Sequence, residues 1–450
     1  MPDSPEDLLA NAAKPAGEAL RLHPYYRGKI QTTAKCAIRD LNDFAIWYTP
    51  GVAASCKAIQ ANPAEVYEHT NRANTIAIVT DGTRVLGLGD IGPAAGLPVM
   101  EGKALLFKYL GGVDAVPICL DTKDPGEIVR TVELLQPSFG GINLEDISQP
   151  KCFRILDSLR ESLEIPVWHD DQQGTAVVAL AALINALEVV GKDLESIRIA
   201  MIGMGAANVA TYRLLATIGV DPGQVTACDS RGILGRHRTD LEAAREEYPD
   251  KWRVCGESNP GDLEGGIPEA LENADVCIAF SVSRPGLIQR GWIEAMKPGA
   301  VVFACANPVP EIWPWEAGAA GAAVVATGRG DFPNQLNNSL SFPGIFRGVL
   351  DVRASAITDE MAIAAARELA SFAKEGGLSP GRILPTMDDW EVFPRVAGAV
   401  AAEAQRLGLA ALGTSPDEVE REAAATISRS RDSVAALMRE GLIPSPPDEE

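Results

Sequence analysis

The chain is poor in the residues that mark several protein classes. Only four histidines occur in 450 residues, and His169 is the one near any motif, so there is no imidazole-based metal signature. The eight cysteines (Cys36, Cys56, Cys119, Cys152, Cys228, Cys255, Cys277, Cys305) form no C-x-x-C pair. That argues against a zinc site or a disulfide framework. Several lie in apolar strand-like runs such as "VCIAF" and "VVFACA", and they read as buried free thiols of a reducing cytoplasm. The longest apolar run, residues 175–190, contains Asn185 and Glu188 and is too short and too polar to span a bilayer. The first twenty residues are acidic and lack a basic region followed by an apolar one, so they do not read as a secretory signal. Positive charge is also scarce. Lys and Arg total 40 against 61 Asp and Glu, a net charge of −21. That argues against nucleic acid as a partner. An anionic substrate would need specific Lys or Arg residues, and a metal, to reverse the local field.

The chain does have a globular composition, 46% hydrophobic and 22% charged, with no low-complexity tract. Its length predicts two or three domains. The first half alternates strand-like patches (75–82, 84–90, 115–121, 141–147, 165–171) with helix-like ones (101–112, 126–137, 151–163). This is the signature of an α/β fold with parallel sheet. A strongly helical segment follows at 175–190, stopped by Gly191, and a domain boundary is expected near it. The second half repeats the βα pattern with strands ending near Gly203, Asp229, Ser281, Asn307 and Gly328. Ligands of open parallel sheets bind beyond such ends. From about residue 358 the chain reads as helical, with a charged tail "PSPPDEE" expected to be disordered.

Gly203-Met204-Gly205-Ala206-Ala207-Asn208 links a predicted strand to a predicted helix. The glycines permit a tight turn and close approach of a pyrophosphate, and the helix N-terminus offers free N–H groups. Asn208 stands where the G-x-G-x-x-G pattern has glycine or alanine, which puts the close helix–strand packing in doubt. Asp229, 21 residues further on, occupies the place of a ribose-binding acid. The turn predicts a nicotinamide dinucleotide, NAD or NADP. Asp229 would repel a 2′-phosphate, while Arg231 and Arg236 are near enough to receive one.

Carboxylates recur at predicted strand ends: Glu145 and Asp146 in "NLEDI", Asp170 and Asp171 in "WHDD". Such groups can converge on Mg²⁺ or Mn²⁺ through oxygen ligands. Adjacent strand residues point to opposite faces, so both members of a pair can ligate only where the backbone leaves strand geometry. For each Asp of "WHDD", spacing alone leaves helix capping and metal binding both open. Lys103 sits in or near the first turn of its predicted helix, where the dipole and a closed site would lower its pKa toward that of a general base, unless it is a solvated surface residue. Tyr48, before a Thr-Pro-Gly turn, is an edge packer or a proton donor. Arg84, flanked by glycines, is a surface residue or an anion grip. Asn307, Asn337 and Asn338 are turn formers or ligand contacts.

Together, "YTPGVA", "DGTRVLGLGDIGPAAGLPVMEGKALLFKYLGGVDAVPICLDT", "FGGINLEDI", "VWHDDQQGTA", "ANPVPEI" and "FPNQLNNSLSFPGIFRG" resemble the malic enzymes, specifically the short bacterial type, from about residue 23 to about residue 410. The large C-terminal acyltransferase-like domain of some relatives is not expected. The resemblance implies an N-terminal extension (1–22), an α/β catalytic domain (23–165), a Rossmann-like dinucleotide-binding domain (166–410) and a partly disordered helical tail (411–450). It implies Tyr48 as general acid, Lys103 as general base, and Glu145, Asp146 and Asp171 as ligands of Mn²⁺ or Mg²⁺. Asp170 lies beside the metal and orients the site or helps the base. Arg84 binds a malate carboxylate, and Asn307 and Asn338 contact substrate or nicotinamide. Residues 203–207, with Asp229, Asn307 and Asn337, hold the dinucleotide. The implied reaction is oxidative decarboxylation of L-malate to pyruvate and CO₂ by a cytoplasmic homodimer. The competing readings are a malolactic enzyme that retains its cofactor, a simple malate dehydrogenase, and a non-catalytic dinucleotide-binding protein.

Overall fold

The computed structural model describes residues 5–284 and 286–447, with side chains from residue 14 onward. The N-terminal helix α1 (Pro5–Tyr26) leads into a segment of short helices, the longest Val52–Ala61, almost wholly exposed through residue 65. A four-stranded sheet follows: β1 (Thr75–Thr80), β2 (Asp114–Cys119), β3 (Gly141–Leu144) and β4 (Val167–His169), in the order β2-β1-β3-β4. All pairs are parallel. β1 and β3 are near-continuous apolar runs because helices cover both faces of a parallel sheet. Those helices are α2 (Pro93–Gly111), α3 (Pro125–Leu135) and α4 (Lys151–Ser162).

Two local expectations fail here. Residues 84–90 are not a strand. They form a loop with one bridge, Val85 to Gly89, and the backbone turns left-handed at Leu86 and Gly89. Helix α2 starts at Pro93 rather than near 101. Gly96, Pro98 and Gly102 are poor helix formers and hid its first half. Burial of Gly96, Met100, Lys103, Ala104 and Phe107 along one stripe outweighs that local preference. Lys103 is therefore mid-helix, where the dipole has little effect.

The second sheet has the order β10-β9-β8-β5-β6-β7. Its strands are β5 (Ile199–Ile202), β6 (Val225–Asp229), β7 (Gly232–Ile233), β8 (Val276–Ala279), β9 (Ala300–Ala304) and β10 (Ala322–Thr327). All neighbours are parallel except the β6–β7 edge. The chain leaves β5 for β6 on one side and returns to β8 on the other, so the topological switch lies between β5 and β8. This is the crevice where doubly wound sheets bind dinucleotides. Helix α5 (Thr175–Val190) packs between α6 (Ala206–Thr217) and α7 (Asp359–Glu375). Together with the turn before it, it runs Asp170–Val190, long and apolar enough to cross a membrane, but most of it is buried in the protein core.

One apolar cluster runs through both sheets and the C-terminal helices, and a second fills the outer face of the β5–β10 sheet. Helices α8 (Val392–Arg406) and α9 (Pro416–Arg439) close the fold. α9 lies on α2: Ser430 donates to the Lys108 carbonyl (2.8 Å), and the Arg431 guanidinium stacks 4.4 Å over Tyr109. The tail expected to be disordered is held as far as it is described. The hydroxyls of Tyr26 and Tyr25 donate to the carbonyls of Pro444 (2.9 Å) and Ser445 (3.2 Å), and Arg21 reaches Pro447 (2.6 Å). The last three residues lie outside the described part. The eight cysteines are free, but only five are buried. Cys36 and Cys56 are exposed, because they lie outside the apolar strands that suggested burial, and Cys119 is half-buried at the end of β2.

Candidate active site

The site begins with two departures from regular backbone. Asp146, just past β3, has φ of +54°, a left-handed conformation that aspartate tolerates better than most residues. Past β4 the chain enters a single π-turn, Asp170–Gly174, that runs directly into α5. π-Turns recur at functional sites because they redirect side chains. In this way the adjacent acids of "NLED" and "HDD" escape strand alternation and gather on one side.

Lys103 projects from α2 into this group. Its ammonium lies 2.6 Å from Asp170 Oδ2 and 2.9 Å from Glu145 Oε1, with its charge 4.3 Å over the Phe342 ring. Asp170 is fully buried. Its other oxygen accepts the Trp168 indole N–H (3.1 Å). Gly174 leaves room for it: a Cβ at Gly174 would stand 1.9 Å from Asp170 Oδ1. The second oxygen of Glu145 accepts from Asn143 (2.9 Å). Asp171 Oδ2 accepts the Asp146 backbone N–H (2.8 Å) and lies 3.7 Å from the His169 ring. Neither aspartate caps α5, because the π-turn continues the helix backward and carries both residues inside it. The capping alternative is thereby removed.

The electrostatics follow from four carboxylates facing one lysine. Burial pulls the Lys103 pKa down, but Asp170, Glu145 and Asp171 outweigh it and hold the ammonium above its ordinary range. This reverses the lowered pKa expected from a first-turn position. Burial raises Glu145, Asp170 and Asp171, and repulsion from neighbouring acids adds to it at Glu145 and Asp170. The same causes push Asp146 up to about 8. Burial is the largest cause for the acids, and the surplus of negative charge is what keeps the proton on Lys103. Asp146 Oδ2 is buried without a hydrogen-bond partner. An uncompensated cluster of carboxylates with an orphan oxygen fits a hard divalent cation in charge and donor type. Among the described residues no three acidic, histidine or cysteine side chains already form a closed cage, so the donors would draw together around the ion.

Around this centre, Arg84 is exposed. Its backbone N–H donates to the Asp146 carbonyl (2.9 Å), and among the described residues its guanidinium donates only to the Leu86 carbonyl (3.2 Å). A Cβ at Gly87 would stand 2.7 Å from the Asn307 carbonyl, so the Arg84 loop touches the loop after β9. The Asn307 amide points to the Gly328 carbonyl (3.5 Å). The Asn337 side chain accepts from the Ser339 N–H (3.0 Å) and acts as a turn former. The Asn338 side-chain amide has no partner among the described residues, while its carbonyl accepts from Ser341, which also reaches Gly174 (3.3 Å). Tyr48 is not brought to this centre. It is 71% exposed, and its hydroxyl makes no hydrogen bond among the described residues.

At the switch point Gly203 has φ of +86°, and a Cβ there would collide with the Phe280 carbonyl at 2.6 Å. Gly205 opens to the crevice, and only the Gln149 amide comes near it (3.9 Å). Met204 is buried, whereas Ala206 and Ala207 begin α6 half-exposed. Asn208 does not loosen the packing. Its amide donates to the carbonyls of Gly203 (2.7 Å), Ile202 (3.2 Å) and Ile278 (3.2 Å), fastening the turn to β5 and β8. Asp229 is at its predicted place, but its carboxylate is occupied by Arg238 (3.0 Å). Sequence reasoning missed Arg238, which carried no spacing signal. It also missed the buried Glu311, whose carboxylate accepts from the N–H and hydroxyl of Ser281 (both 2.8 Å) and the N–H of Ala306 (3.0 Å), joining the ends of β8 and β9. Two cavities of about 390 and 310 Å³, one beside Trp390 and one beside Tyr67, contain none of these residues.

The chain matches the family models "Malic enzyme, N-terminal domain" over residues 27–160 and "Malic enzyme, NAD binding domain" over residues 172–405. It is 46% identical over 403 residues to a bifunctional malic/malolactic enzyme of Bacillus subtilis, covering 89% of this chain and 96% of that protein. It is 48% identical over 383 residues to an NAD-dependent malic enzyme of Geobacillus stearothermophilus, covering 85% and 78%. The solved malic enzyme of Entamoeba histolytica superposes with a TM-score of 0.95 at 46% identity, covering 99% of this chain and 93% of that one. With both halves matched, and with relatives above 45% identical over most of their length, the chain belongs to the malic enzyme family.

Proposed function

We infer that the chain oxidises and decarboxylates L-malate to pyruvate and CO₂ with reduction of NAD(P)⁺. The observation that carries this is Lys103, buried between Asp170 and Glu145 next to the orphan carboxylate of Asp146, in a chain of this family. When bound, a divalent cation on Glu145, Asp146 and Asp171 supplies a Lewis acid and takes up the negative charge that holds the Lys103 proton, and NAD(P)⁺ supplies the hydride acceptor.

The chain's own groups then divide the work. Arg84, which makes no ion pair among the described residues, grips a malate carboxylate against the −21 net charge. Lys103, as the neutral amine, takes the proton of the C2 hydroxyl and becomes the ammonium that Asp170 holds in place. Asn338 and Asn307 offer amides to substrate and nicotinamide. Tyr48 returns a proton to C3 after CO₂ leaves. The free cysteines support a reducing cytoplasm as the setting.

Tyr48 also supports a homodimer. It sits on an arm that exposes Ile38, Leu41, Phe44, Ile46, Trp47 and Val52, a patch that a second copy would cover. In such a pair Tyr48 of one chain would serve Lys103 of the other. The test is one assay with L-malate, Mn²⁺ and either NAD⁺ or NADP⁺, following the reduced cofactor, pyruvate and CO₂ together. Oxaloacetate as the end product would sink the decarboxylating reading. Lactate without net cofactor reduction would favour the malolactic one, an activity carried in the name of the Bacillus subtilis relative.

A further inference from the structure

The ribose end of the dinucleotide crevice holds a cluster of charges that decides more than Asp229 alone could. Asp229 ends β6. Its Oδ1 accepts from the Arg231 backbone N–H (2.9 Å) and the Arg238 guanidinium (3.0 Å). Its Oδ2 accepts from Arg238 (3.3 Å) and lies 3.6 Å from the Lys251 ammonium. Arg238 is buried, with its other edge fixed on Asp240 at 2.8 and 2.9 Å. The acid that would accept a ribose hydroxyl, and repel a phosphate, is thus already paired and hydrogen-bonded within the protein. Asp240 is likewise satisfied by Arg238, and this pairing holds it below the usual carboxylate range.

Arg231 is different. Its side chain is 72% exposed on the rim beyond β6 and, among the described residues, is ion-paired only with Asp240 (3.0 Å). It can leave Asp240 without stranding that carboxylate. Arg236 instead reaches the Gly256 carbonyl (3.5 Å). Three cations (Arg231, Arg238, Lys251) stand against two carboxylates (Asp229, Asp240), a local positive balance in an acidic chain.

We propose that this cluster is a 2′-phosphate subsite, with Arg231 as the phosphate ligand and Arg238 as the positioning residue that neutralises Asp229, so that NADP⁺ is a working cofactor of this chain. The proposal rests on nicotinamide dinucleotide binding at the Gly203 turn. It is tested on the full chain by titration with NADH and NADPH, followed by nicotinamide fluorescence, and by kcat/KM for NAD⁺ and NADP⁺ with malate and Mn²⁺. NADPH should bind at least as tightly as NADH. Arg231→Ala should lower the NADPH-to-NADH affinity ratio, and the corresponding kcat/KM ratio, by about 10-fold to 100-fold. Arg231→Lys should restore part of it. Adenosine 2′,5′-bisphosphate should displace NADPH from the wild-type chain and do so poorly in Arg231→Ala. Binding of NADH with NADPH about 100-fold weaker would overturn the subsite, as would an Arg231→Ala effect equal on both cofactors. If neither nucleotide binds, the dinucleotide reading fails and the subsite with it.

Discussion

Replacing Asp171 by asparagine separates cation binding from folding. Asp171 Oδ2 accepts the Asp146 N–H at 2.8 Å, and an amide oxygen in that place still accepts it. Exchanging a charged acceptor for a neutral one costs about 1 kcal/mol. The same substitution removes a negative charge that raises the pKa of Glu145, Asp146 and Asp170. Two like charges about 5 Å apart at an effective dielectric constant of about 20 repel by roughly 3 kcal/mol, so one relieved pair offsets the weakened hydrogen bond. The cation-free variant should therefore melt close to wild type or slightly above it. Saturating Mn²⁺ distinguishes the two chains. At about a hundred times its dissociation constant, a ligand stabilises the native state by about 2.7 kcal/mol. For 450 residues, a melting entropy of about 2.1 cal/mol/K per residue makes that about 3 °C in Tm. Scanning calorimetry with and without Mn²⁺ should show this gain in wild type and little of it in Asp171→Asn, which should also lose malate turnover. An equal Mn²⁺ shift in both chains would remove Asp171 from the cation site. A cation-free variant that melts far below wild type would refute the charge-relief argument.

Lys103→Ala should lower malate oxidation by at least about 100-fold while dinucleotide binding persists; near-normal turnover would sink the base assignment. Tyr48→Phe should slow pyruvate formation more than it weakens malate binding. If each site is shared between two copies, equal mixing of these two variants should restore about a quarter of wild-type activity, because half of the random dimers carry one intact site. No recovery would return Tyr48 to its own chain's site. Cation-free wild type should lose stability as pH rises from about 4 toward 8. Asp146, raised to about 8 in the folded state, binds a proton there that the unfolded chain has released. Melting at pH 5.5 and 8 with and without Mn²⁺ checks this, and the Mn²⁺ gain should be larger at pH 8. Asn208→Ala removes three hydrogen bonds, to the carbonyls of Gly203, Ile202 and Ile278. It should cost about 1–3 kcal/mol in urea unfolding and weaken dinucleotide binding. An unchanged midpoint would show that Asn208 does not fasten the turn.

The periodicity of the chain by itself determined the α/β class, both sets of parallel strands and the glycine turn at Gly203, because burial on both faces leaves continuous apolar strands and a tight turn needs glycine. The motifs determined the family. Local propensity misled where tertiary burial outweighed it. The Gly- and Pro-rich start of α2 read as loop, which placed Lys103 in a first turn it does not occupy. The glycine-rich 84–90 read as strand. Other facts had no local signal, since they join residues far apart in the chain. Examples are the pairing of Lys103 with Asp170 (2.6 Å), the hold of Arg238 on Asp229 (3.0 Å), and the docking of the tail on α1. The tertiary structure alone decided that "HDD" is a π-turn rather than a cap. It alone set the protonation of Lys103, because a pKa depends on which charges the fold places within a few ångströms of it, and sequence distance does not measure that.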